Sequence, residues 1–136
     1  MTPFARAAVL SLLAGCLPWA GHAAEGGGAP EDQSPTLVVF FPDWSGALDS
    51  AAKDVIEHAA RRAKRIPNVH IEVNGYADDT GSNDANVALT KLRAQRVADQ
   101  LEEDGIAASA ITMKAEGAQR VKGVASRRAE ITITAP

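Results

Sequence analysis

The chain has 136 residues, 46% apolar and 23% charged, which is the balance of a globular domain with some chain to spare. Its 14 Lys and Arg stand against 17 Asp and Glu, and a net charge of −3 argues against a general nucleic-acid binder, which needs a basic surface to displace counterions. A single Cys excludes an intrachain disulfide framework, His22, His58 and His70 lack metal-ligand spacing, and no apolar run reaches the roughly 18 residues of a spanning helix.

Met1 to Arg6 is short and carries one positive charge, and Ala7 to Gly15 is an uncharged apolar stretch. These are the n-region and h-region of a secretory signal, so residues 1–15 read as a signal peptide. Leu13-Ala14-Gly15-Cys16 resembles a bacterial lipobox. That resemblance implies cleavage before Cys16 and lipidation of its thiol. The small-x-small site Gly21-His22-Ala23 offers ordinary cleavage and a soluble periplasmic product instead. Either route leaves a mature chain without a free thiol, which suits an oxidising compartment. Residues 16–35 have no apolar periodicity, and Gly26-Gly27-Gly28-Ala29-Pro30 marks them as a flexible linker. Fully extended, the linker reaches about 60 Å.

Residues 36–136 read as one domain. Leu37-Val38-Val39-Phe40-Phe41 is β-branched and aromatic and is stopped by Pro42, which predicts a buried strand. Asp49 is the predicted N-cap of a helix whose Leu48, Ala51, Ala52, Val55, Ile56, Ala59, Ala60 and Ala63 recur at helical spacing. Pro67 closes it. The run Arg61-Arg62-Ala63-Lys64-Arg65 falls at the helix end, where cations complement the dipole, and reads as a solvated terminus. Val69, Ile71 and Val73 alternate with His70, Glu72 and Asn74 as a half-buried strand, and residues 75–83 read as a loop rich in Asp, Gly, Ser and Asn. A second helix spans about 84–104, with Gly105 as its stop signal. Ile111 to Ala115 predicts a third strand, residues 116–126 a loop, and Ala129 to Ile133 a final alternating strand. The order β-α-β-α-β-β contains two crossovers, so the predicted fold is α+β, a mixed sheet with helices packed on one face.

The stretch from Gly75 to Val97 carries the most specific pattern. Gly75, Asp78, Gly81, Asn86, Leu89, Arg93, Ala94 and Val97 fall at the fixed spacings of G-x-x-D-x-x-G-x-x-x-x-N-x-x-L-S-x-x-R-A-x-x-V, with Thr90 in place of the Ser. Arg127-Arg128-Ala129-Glu130-Ile131 supplies a second match to N-R-R-V-E-I. On these residues the chain resembles the OmpA-like peptidoglycan-binding domain over about residues 36–136. The resemblance implies a domain that binds diaminopimelate of the peptidoglycan stem peptide through Asp78 and Arg93, and less firmly through Arg127. Gly81 and Asn86 would organise the loop. The chemistry suits the residue types. Diaminopimelate presents an ammonium and a carboxylate on one carbon, a fixed carboxylate accepts from the first, and a guanidinium forks onto the second. Replacing Asp78 or Arg93 by Ala is expected to remove binding without unfolding the domain.

Taken singly, each residue has a plainer reading. Asp78 is equally a turn residue, Arg93 a solvated helix arginine, and Arg127 and Arg128 strand-start surface charges, the reading preferred for Arg128. His58 and His70 lie on polar faces, and Phe40, Phe41 and Trp44 read as core and loop anchors. Asp78, Asp79 and Asp84 do not match an EF-hand spacing. The chain also departs from the family: Tyr76-Ala77 replaces His-Thr, the segment around Asp43 is rearranged, Ser126 replaces an Asn, and the loop before the last strand is short. Nothing in the sequence pairs a nucleophile with a base, so no enzyme activity, cofactor or metal is expected. The expected partners are peptidoglycan and, through lipidated Cys16, the outer membrane at its periplasmic face. A fold retained for a protein partner in the envelope is the alternative.

Overall fold

A computed structural model describes residues 34–119 and 123–136. The signal peptide, Cys16 and nearly all of the linker lie outside the described residues. The elements in chain order are β1 (Thr36–Phe40), α1 (Ser50–Ala63), β2 (His70–Asp78), α2 (Asn83–Glu103), β3 (Ile111–Gln119) and β4 (Arg128–Thr134), with single 3₁₀ turns at Ala108–Ala110 and Val124–Ser126.

The sheet order is β1-β4-β2-β3. β4 runs antiparallel to both β1 and β2, while β2 and β3 are parallel and joined by the α2 crossover. The mixed α+β fold is as the element order predicts, with β4 inserted between β1 and β2. One face of the sheet is apolar. Val39, Ile71, Val73, Ala129, Ile131 and Ile133 pack there against Ile56, Ala59 and Ala63 of α1 and Val97 and Leu101 of α2. Full burial of a side chain such as Ile56 or Leu101 contributes about 2 kcal/mol. The alanines of α1 leave room for close packing against the strands. On the alternate positions the strands carry a polar network. Lys114 Nζ pairs with Glu72 Oε2 at 2.8 Å, and the Tyr76 hydroxyl donates to Glu130 Oε2 at 3.2 Å. The Lys114 ammonium holds the Glu72 carboxyl below its ordinary value.

Both helices start as their caps dictate. The Asp49 carboxylate accepts from Ala52 N at 2.7 Å, and the Ser82 hydroxyl accepts from Ala85 N at 3.2 Å. α2 therefore begins at Asn83, one residue earlier than Asp84.

Three strand expectations need correction. β1 is an edge strand with an exposed Phe40, because only β4 pairs with it. β2 continues through Gly75 to Asp78, which were expected in a loop, and β3 continues past Ala115 to Gln119. Mutual pairing extends both: Tyr76, Ala77 and Asp78 sit opposite Gly117, Ala118 and Gln119 after a register shift that leaves Glu116 as the extra residue. Pairing to a neighbour thus outweighs the poor strand propensity of Gly and Asp. Among the described residues, the connection from β3 to β4 carries only the 3₁₀ turn.

Gly75 is where α2 meets the sheet. A Cβ there would lie 2.1 Å from the Thr90 carbonyl oxygen, so only a glycine lets the helix backbone approach this closely. This contact fixes the height of Arg93, one turn further along α2, over the end of β2.

Candidate functional site

The site is built where β2 ends, between the turn after β1 and the turn before β4. Arg93 is its centre. The side chain has no solvent exposure. Its Nη1 donates to Tyr76 O at 2.8 Å, its Nε to Ser45 O at 3.0 Å and its Nη2 to Pro42 O at 3.2 Å. The guanidinium lies 5.3 Å from the centroid of the Phe41 ring. Burial pulls its pKa down and the Asp78 charge opposes that, while an arginine remains protonated in either case. One cation thereby ties three chain segments together through backbone acceptors.

Asp78, the last residue of β2, is 8% exposed. Its Oδ1 accepts from the Thr80 backbone N–H at 3.3 Å and from the Thr80 hydroxyl. The Thr80 hydroxyl does most to hold the carboxyl below the usual carboxylate range, against the opposing effect of burial, and the Arg127 and Arg93 charges add to it. Neither Thr80 bond uses Oδ2. Asp78 is therefore an ionised acceptor whose Oδ1 is fixed by Thr80.

Arg127 sits in the turn that leads into β4 and is 21% exposed at its side chain, with Nη1 at 3.6 Å from Asp43 Oδ1. Its Nε is buried and has no hydrogen-bond acceptor. The backbone is pinned here, since Phe41 N donates to Arg127 O at 2.8 Å. Of the two guanidiniums beside Asp78, Arg127 is the open one.

The structure thus brings Asp78, Arg93 and Arg127 to one place, and it adds Asp43 and Thr80, which the sequence pattern did not single out. Asp78-Asp79-Thr80-Gly81 carries the signal for Thr80, an acidic residue two before a hydroxyl and followed by a glycine, the composition of a side-chain-capped turn. Nothing in the sequence points from Asp43 to Arg127. Gly81 has φ +85° and lies under the Trp44 ring, where a Cβ would meet the ring at 2.3 Å. Asn86 is buried in the first turns of α2 with its Oδ1 unpartnered, and the cap of that helix is Ser82. Tyr76 turns its phenol to Glu130, and the Arg128 guanidinium stacks on its ring at 4.2 Å. The departure at Tyr76 is therefore absorbed within the β2–β4 pair. Arg128 is engaged there as well, through Glu130 Oε1 at 2.8 Å. Among the described residues, no group of His, Cys, Asp and Glu gathers as a cation site.

A four-stranded mixed sheet with a buried arginine, an ionised carboxylate and a partly exposed guanidinium at the end of one strand defines the class of α+β domain. Sequence comparison gives that class a name. The chain belongs to the OmpA family, whose profile matches residues 40–131. It is 31% identical over 94 residues to a peptidoglycan-associated lipoprotein of Agrobacterium fabrum, covering 65% of this chain and 53% of that protein. It is 33% identical over 69 residues to the peptidoglycan-binding protein ArfA of Mycobacterium tuberculosis, covering 51% of this chain and 21% of the relative. The chain thus spans between about a fifth and about half the length of these relatives. Among solved structures, the fold is shared with the peptidoglycan-associated lipoprotein of Burkholderia pseudomallei, at a TM-score of 0.65 and 24% identity over 71% of this chain and 89% of that one. It is also shared with the OmpA-like domain of FopA1 from Francisella tularensis, at a TM-score of 0.67 and 24% identity over 74% and 72%.

Proposed function

We propose that this chain binds peptidoglycan non-covalently, by gripping the ammonium and carboxylate on the side-chain carbon of diaminopimelate in the stem peptide. The observation that carries the reading is the pairing of an ionised, oriented Asp78 with the partly open Arg127 over a buried Arg93. Asp78 Oδ2 accepts from the ammonium. Arg127, the more exposed of the two guanidiniums, forks onto the carboxylate. Arg93 has its donors on Tyr76, Ser45 and Pro42, so its role is to build the floor of the site and to add positive charge beneath it. The role is attachment rather than catalysis. Relatives named as peptidoglycan-binding and peptidoglycan-associated support it. With Cys16 lipidated, the domain links the outer membrane to the wall from the periplasmic side.

The test uses two stem peptides, one with diaminopimelate and one with lysine, which keeps the ammonium and lacks the adjoining carboxylate. The full chain is expected to bind the diaminopimelate peptide about tenfold or more tightly, the worth of a charge-assisted fork. Equal affinity for the two peptides contradicts the role of Arg127.

A further inference from the structure

Trp44 is held in a conformation its side chain does not favour. Its φ is 49°, in the left-handed region, and the residue is 51% exposed. A bulky residue in that region costs about 1–3 kcal/mol, and such strain persists only where the surroundings over-determine it. The surroundings here are Arg93. Its Nη2 and Nε hold Pro42 O and Ser45 O, the carbonyls either side of Trp44, and Ser45 N closes the turn on Pro42 O at 3.3 Å. The ring is laid on the backbone of Gly81, three residues beyond Asp78. Its other border is a groove of about 660 Å³ between this turn and α2, where Trp44 stands with the polar side chains of Lys53, Arg96, Asp99 and Gln100. That volume lies within the range of small-ligand clefts.

We propose that Trp44 and this groove form a sugar subsite adjoining the stem-peptide site. The inference rests on the peptidoglycan reading above and extends it from the peptide to the glycan. An N-acetylated amino sugar has one face of C–H bonds, apolar enough to stack on an exposed indole, and a rim of hydroxyl and acetamide groups. The groove offers that combination, an aromatic platform with carboxylate, carboxamide and cationic partners. The two subsites share one loop, because the Trp44 ring lies against Gly81, three residues beyond Asp78. Arg93 thus acts as a positioning residue for both subsites, holding the Tyr76 carbonyl on one side and the Trp44 turn on the other.

The test compares two probes by titration of the full chain: the free diaminopimelate stem peptide and the same peptide carried on its N-acetylglucosaminyl-N-acetylmuramic acid disaccharide. The wild-type chain is expected to bind the disaccharide peptide about tenfold more tightly, a gain in the range of one well-packed aromatic contact. Trp44→Ala is expected to lose that gain while keeping its affinity for the free peptide, and Trp44→Phe to keep part of the gain. Equal wild-type affinity for the two probes overturns the sugar subsite and leaves the peptide reading standing. An equal loss on both probes in Trp44→Ala also overturns it, because Trp44 then only props the Asp78 loop. Failure of the wild-type chain to bind either probe removes the peptide reading and this inference together.

Discussion

A guanidinium without solvent exposure has to find its acceptors inside the protein, and Arg93 finds three backbone carbonyls on two separate segments. Its burial changes what a substitution there should do. Arg93→Ala removes the donors those carbonyls share and leaves a cavity in their place, at a cost of about 3 kcal/mol or more. For a domain of this size the melting temperature should fall by about 12 °C or more, so loss of binding in Arg93→Ala is expected to come together with loss of stability. Thermal melts of Arg93→Ala and Arg93→Lys check it. Lys keeps the charge but cannot span three acceptors, and it should also lower the melting temperature, by a smaller amount. Asp78 behaves in the opposite way. Asp78→Asn keeps the shape and removes the charge, so binding should be lost with the melting temperature within a few degrees of wild type. The sign of its pH dependence follows from its lowered pKa. A carboxyl depressed on folding contributes above its unfolded value, near about 3.9, and the contribution is lost as pH falls through the folded value below that. Sacculus binding should therefore stay level from pH 7 to about pH 5 and fail only in stronger acid. Loss beginning near pH 6 would point to a group other than Asp78.

At the level of elements, the decisive contact is α2 against β2 at Gly75. Gly75→Ala sets a Cβ against the Thr90 carbonyl, which cannot swing away as a side chain would. Overpacking of this kind costs about 1–3 kcal/mol, and because Arg93 rides on the same helix, binding should weaken along with stability. Ser82→Ala should lower stability by about 1 kcal/mol through loss of the helix cap, whereas Asp84→Ala should change little. Chemical denaturation of both variants checks the assignment. The elements themselves were largely legible in the sequence. Helical spacing in α1, the Asp49 cap, the alternation in β4 and the two crossovers all survive in the structure, because each is set by local pattern. The extension of β2 to Asp78 and of β3 to Gln119 was not, since it depends on each strand finding the other. The position of Asp78, Arg93 and Arg127 came from matched spacing rather than from anything local. Which guanidinium stays open was hidden, because burial of Arg93 is decided by Pro42, Ser45 and Tyr76 folding over it.

For the whole molecule, one site of this size is a weak anchor, and the cell wall is a polymer of repeated ligands. Many copies held on one membrane convert weak contacts into firm attachment, since tethering raises the effective concentration of each further contact. On the proposed reading, a lipid on Cys16 would supply the tether, and the 16–35 linker the reach. Cys16→Ser, produced in a bacterial envelope, should therefore leave the membrane fraction while its affinity for isolated sacculi in solution stays that of wild type. An unchanged membrane fraction in that variant would place the anchor elsewhere.

The central claim is that Asp78 and Arg127 face the ligand, and co-sedimentation with isolated diaminopimelate-type sacculi tests it most directly. The full chain is compared with Asp78→Asn and Arg127→Ala, each first shown by circular dichroism to keep the wild-type fold. The account predicts that wild type pellets with the sacculi and that both variants remain in the supernatant. Variants that pellet as wild type does, or a folded wild-type chain that stays in the supernatant, would contradict it.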